Sequence, residues 1–280
     1  IVRSTKVTAE AVEAGNSLSL IIRAGAGVNT IDLKKASERG VYVANCPGKN
    51  TDAVAELAFG LLIAADRRIP DALVDLRAGK WRKKEYGKAR GLKNRTLGIV
   101  GLGSIGCAVA RRAQGMEMNV IGWSRSLTPE KAKALGIGYC ASLSDLADRA
   151  DAVSLHLALS KETRGLINAE FFGRLGKGTL FVNTARSEVV DAAALKDALV
   201  NGRIRAALDV FENEPSAGEA DFADKELAAL LSAASPHIGA STDQAEAAIA
   251  DETVRIAKTF IETGKPVNAV NPRKLHTGIP

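Results

Sequence analysis

The run TLGIVGLGSIG at 96–106 constrains the fold of this 280-residue chain more than any other stretch. An apolar strand (LGIV) runs directly into Gly101, Gly103 and Gly106, and the residues that follow, SIGCAVARRA, carry a helical pattern. Strand, glycine turn and helix in that order open a βαβ unit of a parallel sheet. The first glycine permits the turn, the second lets an anionic group approach the backbone, and the third lets helix pack on strand. The helix N-terminus then favours a pyrophosphate, so a dinucleotide is the expected ligand.

The same alternation continues downstream. Apolar strands are expected at 96–101, 119–123, 151–156, 179–184 and 205–210, with helices between them. Upstream, strands are expected at 18–23 and 41–45, with a helix over Asp32–Arg39 between them. A buried helix covers 50–68, stopped by Pro70, and a last long helix opens on Ser241-Thr242-Asp243-Gln244 in a capping-box arrangement. The fold class is therefore α/β: a Rossmann-type parallel-sheet domain at 48–238, inserted between the two pieces, 1–47 and 239–280, of a smaller α/β domain. A cleft between two such domains is a natural ligand site.

Composition narrows the function. Hydrophobic residues make up 46% of the chain, enough for a large core, yet no apolar run approaches the ~20 residues that span a bilayer. Membrane partners are not expected, and neither is a metal site: Cys46, Cys107 and Cys140 form no CxxC pair. That cysteine usage fits a reducing, cytoplasmic setting. The net charge of +6 is concentrated in eight basic residues between Lys80 and Arg95. With 4% aromatics and no recognition motif, this run reads as a solvated face or an attractor of phosphorylated substrates, not as a nucleic-acid surface.

Three expected strand ends each deliver a reactive side chain: Arg186 after GTLFVNTA, Glu214 after the strand that carries Asp209, and His237 in SPHIG. Ligands in open parallel sheets bind beyond the carboxyl ends of the strands. An imidazole there can exchange a proton with a hydroxyl. A carboxylate partner would hold the ring and favour its charged form, and a planar guanidinium fork matches a substrate carboxylate. Glu214 is the expected partner, with Glu212 or Glu214 acting only as a loop cap as the alternative. His156, at the end of a strand, reads as a satisfied structural histidine, and His276 as part of a tail. After the second strand, the position that usually carries an acid for the ribose 2′-hydroxyl holds Ser124, then Arg125, so NADP(H) is open beside NAD(H).

At these residues the chain resembles the D-isomer-specific 2-hydroxyacid dehydrogenases, through RAGAGVNTIDL, AELAFGLL, GKW, LGIVGLGSIG, NTARSEVVD, ALDVFENEP and SPHIGAST. The resemblance implies NAD(H) or NADP(H) as cofactor, a small anionic 2-hydroxy or 2-oxo acid as substrate, and a catalytic set of Arg186, Glu214 and His237. It places the nicotinamide amide at Asp209 and the pyrophosphate loop at Ser104 and Ile105. Thr163, Ala185, Gly239 and Ala26 are further cofactor contacts on this reading. Substrate anions fall to Arg3, Arg23, Ala26 and Gly27 together with Arg186. The resemblance further implies a flavodoxin-like smaller domain whose first strand would precede Ile1, and a homodimer paired through about 70–95. Two alternatives stand beside a phosphorylated substrate: an NADPH-dependent reductase of small 2-oxo acids, and a non-catalytic dinucleotide-sensing dimer.

Overall fold

The computed structural model describes residues 1–215 and 218–271. His276 lies outside the described residues. The chain divides into two compact units, 1–53 with the segment from Ala240 onward, and 54–239.

In the smaller unit, β1 (Leu20–Arg23) and β2 (Tyr42–Asn45) pair in parallel, Leu20 opposite Tyr42 through Arg23 opposite Asn45. Both strands are apolar at successive positions because both faces are covered. Ile21 and Val43 face one cluster with Val12, Ile31 and Ala36, while Ile22 and Ala44 face another with Cys46, Ile249 and Ile256. The helix Leu33–Glu38 starts where the sequence indicates, since the Asp32 carboxylate accepts from Lys35 N at 2.8 Å. The long helix Asp243–Thr263 is capped one residue later than the capping-box reading has it. Thr242, not Ser241, accepts from Ala245 N, so Gln244 falls inside the first turn and has no box to complete.

The larger unit is built on a seven-stranded sheet: β3 (Thr96–Val100), β4 (Asn119–Trp123), β5 (Gly138–Tyr139), β6 (Ala152–Leu155), β7 (Thr179–Asn183), β8 (Ile204–Leu208) and β9 (Ala233–Ala234). Every pairing is parallel and the spatial order is β5-β4-β3-β6-β7-β8-β9. The chain starts in the middle, winds outward one way, and resumes on the other side of β3. That reversal between β3 and β6 is the switch point beyond which such sheets bind ligands. Alternate residues divide two cores: Leu97, Ile99, Leu180 and Val182 face the helices Thr51–Arg67 and Ser104–Gly115, while Val100, Phe181 and Leu208 face the other side.

Pro70 does not simply stop the preceding helix. The helix Thr51–Arg67 ends at Arg68, which sits in the left-handed region at φ 52, and Pro70 opens a further helix, Ile69–Arg77. Proline's fixed φ and missing N–H suit a first helical turn.

Candidate active site

The turn after β3 is shaped by its glycines. Gly101 has φ 97, and a Cβ there would lie 2.5 Å from the carbonyl oxygen of His156; a Cβ on Gly106 would lie 2.0 Å from Gly101 O. Gly103 is the N-cap of the helix Ser104–Gly115, with no side chain capping the helix and no atom within 4 Å of the space a Cβ would fill. The first-turn N–H groups of a twelve-residue helix, unclaimed by a side-chain cap and reached past a bare Cα, fit a pyrophosphate. A second fit lies at the end of β7, where the buried Thr184 hydroxyl has no hydrogen-bond partner. Buried hydroxyls are ordinarily paired, so this one suits a ligand at the strand end.

The three reactive residues follow β7, β8 and β9, neighbours in the sheet. Asn183, fully inside the core, braces the turn into Arg186 in both directions: its Oδ1 accepts from Ala185 N at 2.9 Å and its Nδ2 donates to Arg186 O at 3.0 Å. Beyond β8 the Glu214 carboxylate folds back to accept from Phe211 N at 2.8 Å through Oε1. Its other oxygen, Oε2, accepts from His237 Nδ1 at 2.5 Å. One oxygen of Glu214 thus braces its own loop while the other meets the imidazole. Glu212 is exposed. His237 itself has φ 55, an unusual backbone conformation for a residue with a side chain.

With Nδ1–H given to the carboxylate, Nε2 of a neutral His237 is left as a proton acceptor. The hydrogen bond to Glu214 raises the imidazole pKa above its ordinary 6.5; burial opposes this, the charges of Glu214 and Asp209 add to it, and Arg186 subtracts. Burial alone would raise the Glu214 carboxyl, but the bonds from His237 and Phe211 N, with the charges of His237 and Arg186, hold it below 4.5. Arg186 thus acts electrostatically on both members of the pair.

His156 is a structural residue, as expected. Its Nε2 pairs with Ser154 Oγ at 2.8 Å, and burial pulls its pKa down to about 4. Thr163 spends its hydroxyl within its own loop, donating to Ala158 O at 2.7 Å and accepting from Ser160 N at 2.7 Å. Ser124 and Arg125 follow β4 with no acid in that position, and Arg125 acts on the carboxylate of Glu162, helping, after the Ser160 hydroxyl and Glu162's own backbone, to lower its pKa.

Four of the residues expected to hold substrate or cofactor belong to the smaller unit. There the Ala26 carbonyl accepts from Asn45 Nδ2 at 2.6 Å, and the Arg23 guanidinium occupies the space a side chain at Gly25 would need, beside Ala26 and Gly27. Arg3 is committed elsewhere, its Nη2 2.9 Å from Glu246 Oε1. Sequence reasoning had no means to see that pair, formed across 243 positions of chain. It also missed Asn183 and Thr184, although both sit in the NTAR run.

A parallel sheet with a glycine turn at its switch point, and an arginine, a carboxylate and an imidazole beyond its strand ends, defines a dinucleotide-dependent oxidoreductase. Residues 59–239 match the NAD binding domain of the D-isomer specific 2-hydroxyacid dehydrogenases, and the chain belongs to that family of NAD-dependent enzymes. It is 43% identical over 267 residues to the hydroxypyruvate reductase of Thermotoga maritima, covering 94% of this chain and 84% of that one. It is 39% identical over 274 residues to the D-3-phosphoglycerate dehydrogenase of Methanocaldococcus jannaschii, covering 97% of this chain but only 51% of that one. Among solved structures, the NAD+-bound 3-phosphoglycerate dehydrogenase of Entamoeba histolytica superposes with a TM-score of 0.80 at 28% identity, over 98% of this chain and 82% of that one.

Proposed function

We propose that the chain interconverts a small anionic 2-hydroxy acid and its 2-oxo acid, with His237 as acid–base group, Glu214 as its partner and Arg186 as carboxylate clamp. The observation that carries this reading is the 2.5 Å bond between His237 Nδ1 and Glu214 Oε2. In oxidation, His237 Nε2 removes the hydroxyl proton while Glu214 stabilises the resulting imidazolium. In reduction, the imidazolium returns that proton to the developing alkoxide. Arg186 holds the substrate carboxylate through its fork and so orients the 2-carbon. The nicotinamide, when bound, supplies the hydride acceptor or donor; Gly101, Gly103, Ser104, Ile105 and Gly106 would hold its pyrophosphate, with Thr184, Ala185 and Gly239 near the nicotinamide end. On this reading the larger unit is the dinucleotide domain, and the smaller one, with Arg23, Ala26 and Gly27, is the substrate domain.

The observations favour an unphosphorylated 2-oxo acid, hydroxypyruvate or glyoxylate, reduced with NADPH. Arg3, one of the two arginines expected to hold a substrate anion, is paired with Glu246. Five of the eight basic residues of the run have acidic partners too: Arg82 pairs with Asp75, Lys88 with Glu85, Arg90 with Asp151, Lys93 with Glu117 and Arg95 with Asp66. Arg125 favours the 2′-phosphate of NADPH, and a hydroxypyruvate reductase is 43% identical to this chain. Oxidation of 3-phosphoglycerate, the first step of serine synthesis, is the second reading, supported by Arg23 and by the phosphoglycerate dehydrogenase relatives. Initial rates with hydroxypyruvate, glyoxylate and 3-phosphoglycerate, each with NAD(H) and NADP(H), separate the two. Turnover confined to 3-phosphoglycerate and NAD would overturn the reductase reading.

We further propose a homodimer. The helix Ile69–Arg77 leaves Ile69, Leu73, Val74 and Leu76 between 45% and 65% exposed, and Trp81 just beyond it is 79% exposed. Apolar side chains grouped in this way commonly mark an interface. Leu73→Glu should shift the sedimentation of the protein to that of a monomer.

A further inference from the structure

The turn that presents His237 is held by a group the acid–base reading does not use. Asp209, 1% exposed at the end of β8, takes three hydrogen bonds from the residues on either side of the histidine. Its Oδ1 accepts from Ser235 Oγ at 2.6 Å and from Ile238 N at 2.9 Å; its Oδ2 accepts from Gly239 N at 3.0 Å. The turn needs holding, because His237 has φ 55 and its own N–H closes only a short bond to Ser235 O at 3.1 Å. Left-handed backbone at a residue with a side chain persists only where its surroundings over-determine it. Close approach is also built in: a Cβ on Gly239 would lie 2.9 Å from Asp209 Oδ2.

We infer that Asp209 is a positioning residue for His237, clamping the Ser235–Gly239 turn so that the imidazole meets Glu214 before any cofactor binds. This goes beyond the nicotinamide-amide contact expected of Asp209 and rests on the reading of His237 as the acid–base group. The clamp works through two effects. The carboxylate fixes the backbone, and its buried charge reaches the ring alongside those of Glu214 and Arg186, the other charged groups that face it. A buried carboxylate satisfied by three donors is rigid and serves as a fixed anchor.

The decisive test is made without dinucleotide, where a nicotinamide contact cannot contribute. The His237 imidazole is titrated by NMR in the full-length protein, its signal assigned by its absence in His237→Gln, and exchange of the Ile238 and Gly239 amides is followed in parallel. Asp209→Asn turns an amide N–H2 toward a main-chain donor. It should lower the His237 pKa and unprotect both amides and, in separate assays with dinucleotide present, reduce kcat/KM on the order of 10²-fold, as displaced catalytic groups do. Ser235→Ala keeps the charge and removes one bond, so it should speed amide exchange with a smaller change in pKa. If Asp209→Asn is folded and both its titration and its amide exchange superimpose on the wild type, the clamp is overturned. If that variant does not fold, Ser235→Ala decides, and unchanged amide exchange and unchanged kcat/KM overturn it. Full turnover by His237→Gln would instead sink the acid–base reading, while the amide data would still report on the clamp.

Discussion

The larger unit holds its geometry chiefly with apolar packing on both faces of seven strands, whereas the smaller one adds polar clips to two small apolar clusters around two strands. In the larger unit, side chains such as Phe181, Leu97 and Ile99 are completely buried and the strands register themselves. In the smaller unit, Asn271 alone ties three places together: its Oδ1 accepts from Val43 N at 2.6 Å and its Nδ2 donates to Val41 O and Ser37 Oγ. Glu252 does the same for the loop after β2, pairing with Arg255 and Lys49 and accepting from Asn268 Nδ2. The lesson is that a small sheet with little apolar area to bury relies on a few saturated polar side chains, and each of them then matters singly.

This contrast can be broken in steps. Phe181→Ala in the larger unit should destabilise most, by about 3–5 kcal/mol, read as a fall in the denaturant midpoint. Asn271→Ala should cost about 2 kcal/mol by stranding Val43 N and Val41 O, and amide exchange should localise the loss to β2. Glu252→Gln should cost less at neutral pH and be sharpest in its pH dependence. The Arg255 guanidinium, with Asn268 and Lys49, outweighs the desolvation that opposes it and depresses the Glu252 pKa from 4.5 to about 2. Its contribution is present in full above 4.5 and lost as pH falls toward 2, so the variant should lack that acid-side decline in stability. Smallest in stability, yet clear in activity, is Glu214→Gln. The raised His237 pKa lets wild-type reduction persist above pH 6.5; the variant should lose reduction at lower pH and move the acidic limb of oxidation down. An unchanged pH–rate profile would remove Glu214 from the proposed mechanism.

Much of the larger unit was legible because its strands are apolar for four or five residues and its turns carry glycine. The two shortest strands were barely so: β5 contains Gly138, and β9 is Ala233-Ala234, of which only the end before SPHIG was expected, since neither shows a β-forming pattern. Arg186, Glu214 and His237 could be picked out and the last two paired, but which atoms meet across 23 positions follows from the order of β8 and β9. Pro70 misled because proline both ends one helix and begins another. The pairing of Arg3 with Glu246 was out of reach because a sequence does not show which carboxylate lies beside an arginine.

Those two shortest strands have a consequence for how the molecule behaves in company. β5 and β9 are the outer strands of the seven-stranded sheet, and each offers a stranger's backbone only two residues to pair with. A long, flat border would invite neighbouring molecules to extend the sheet without limit. Here the ladder of the larger sheet runs out at each side before a second molecule could read it.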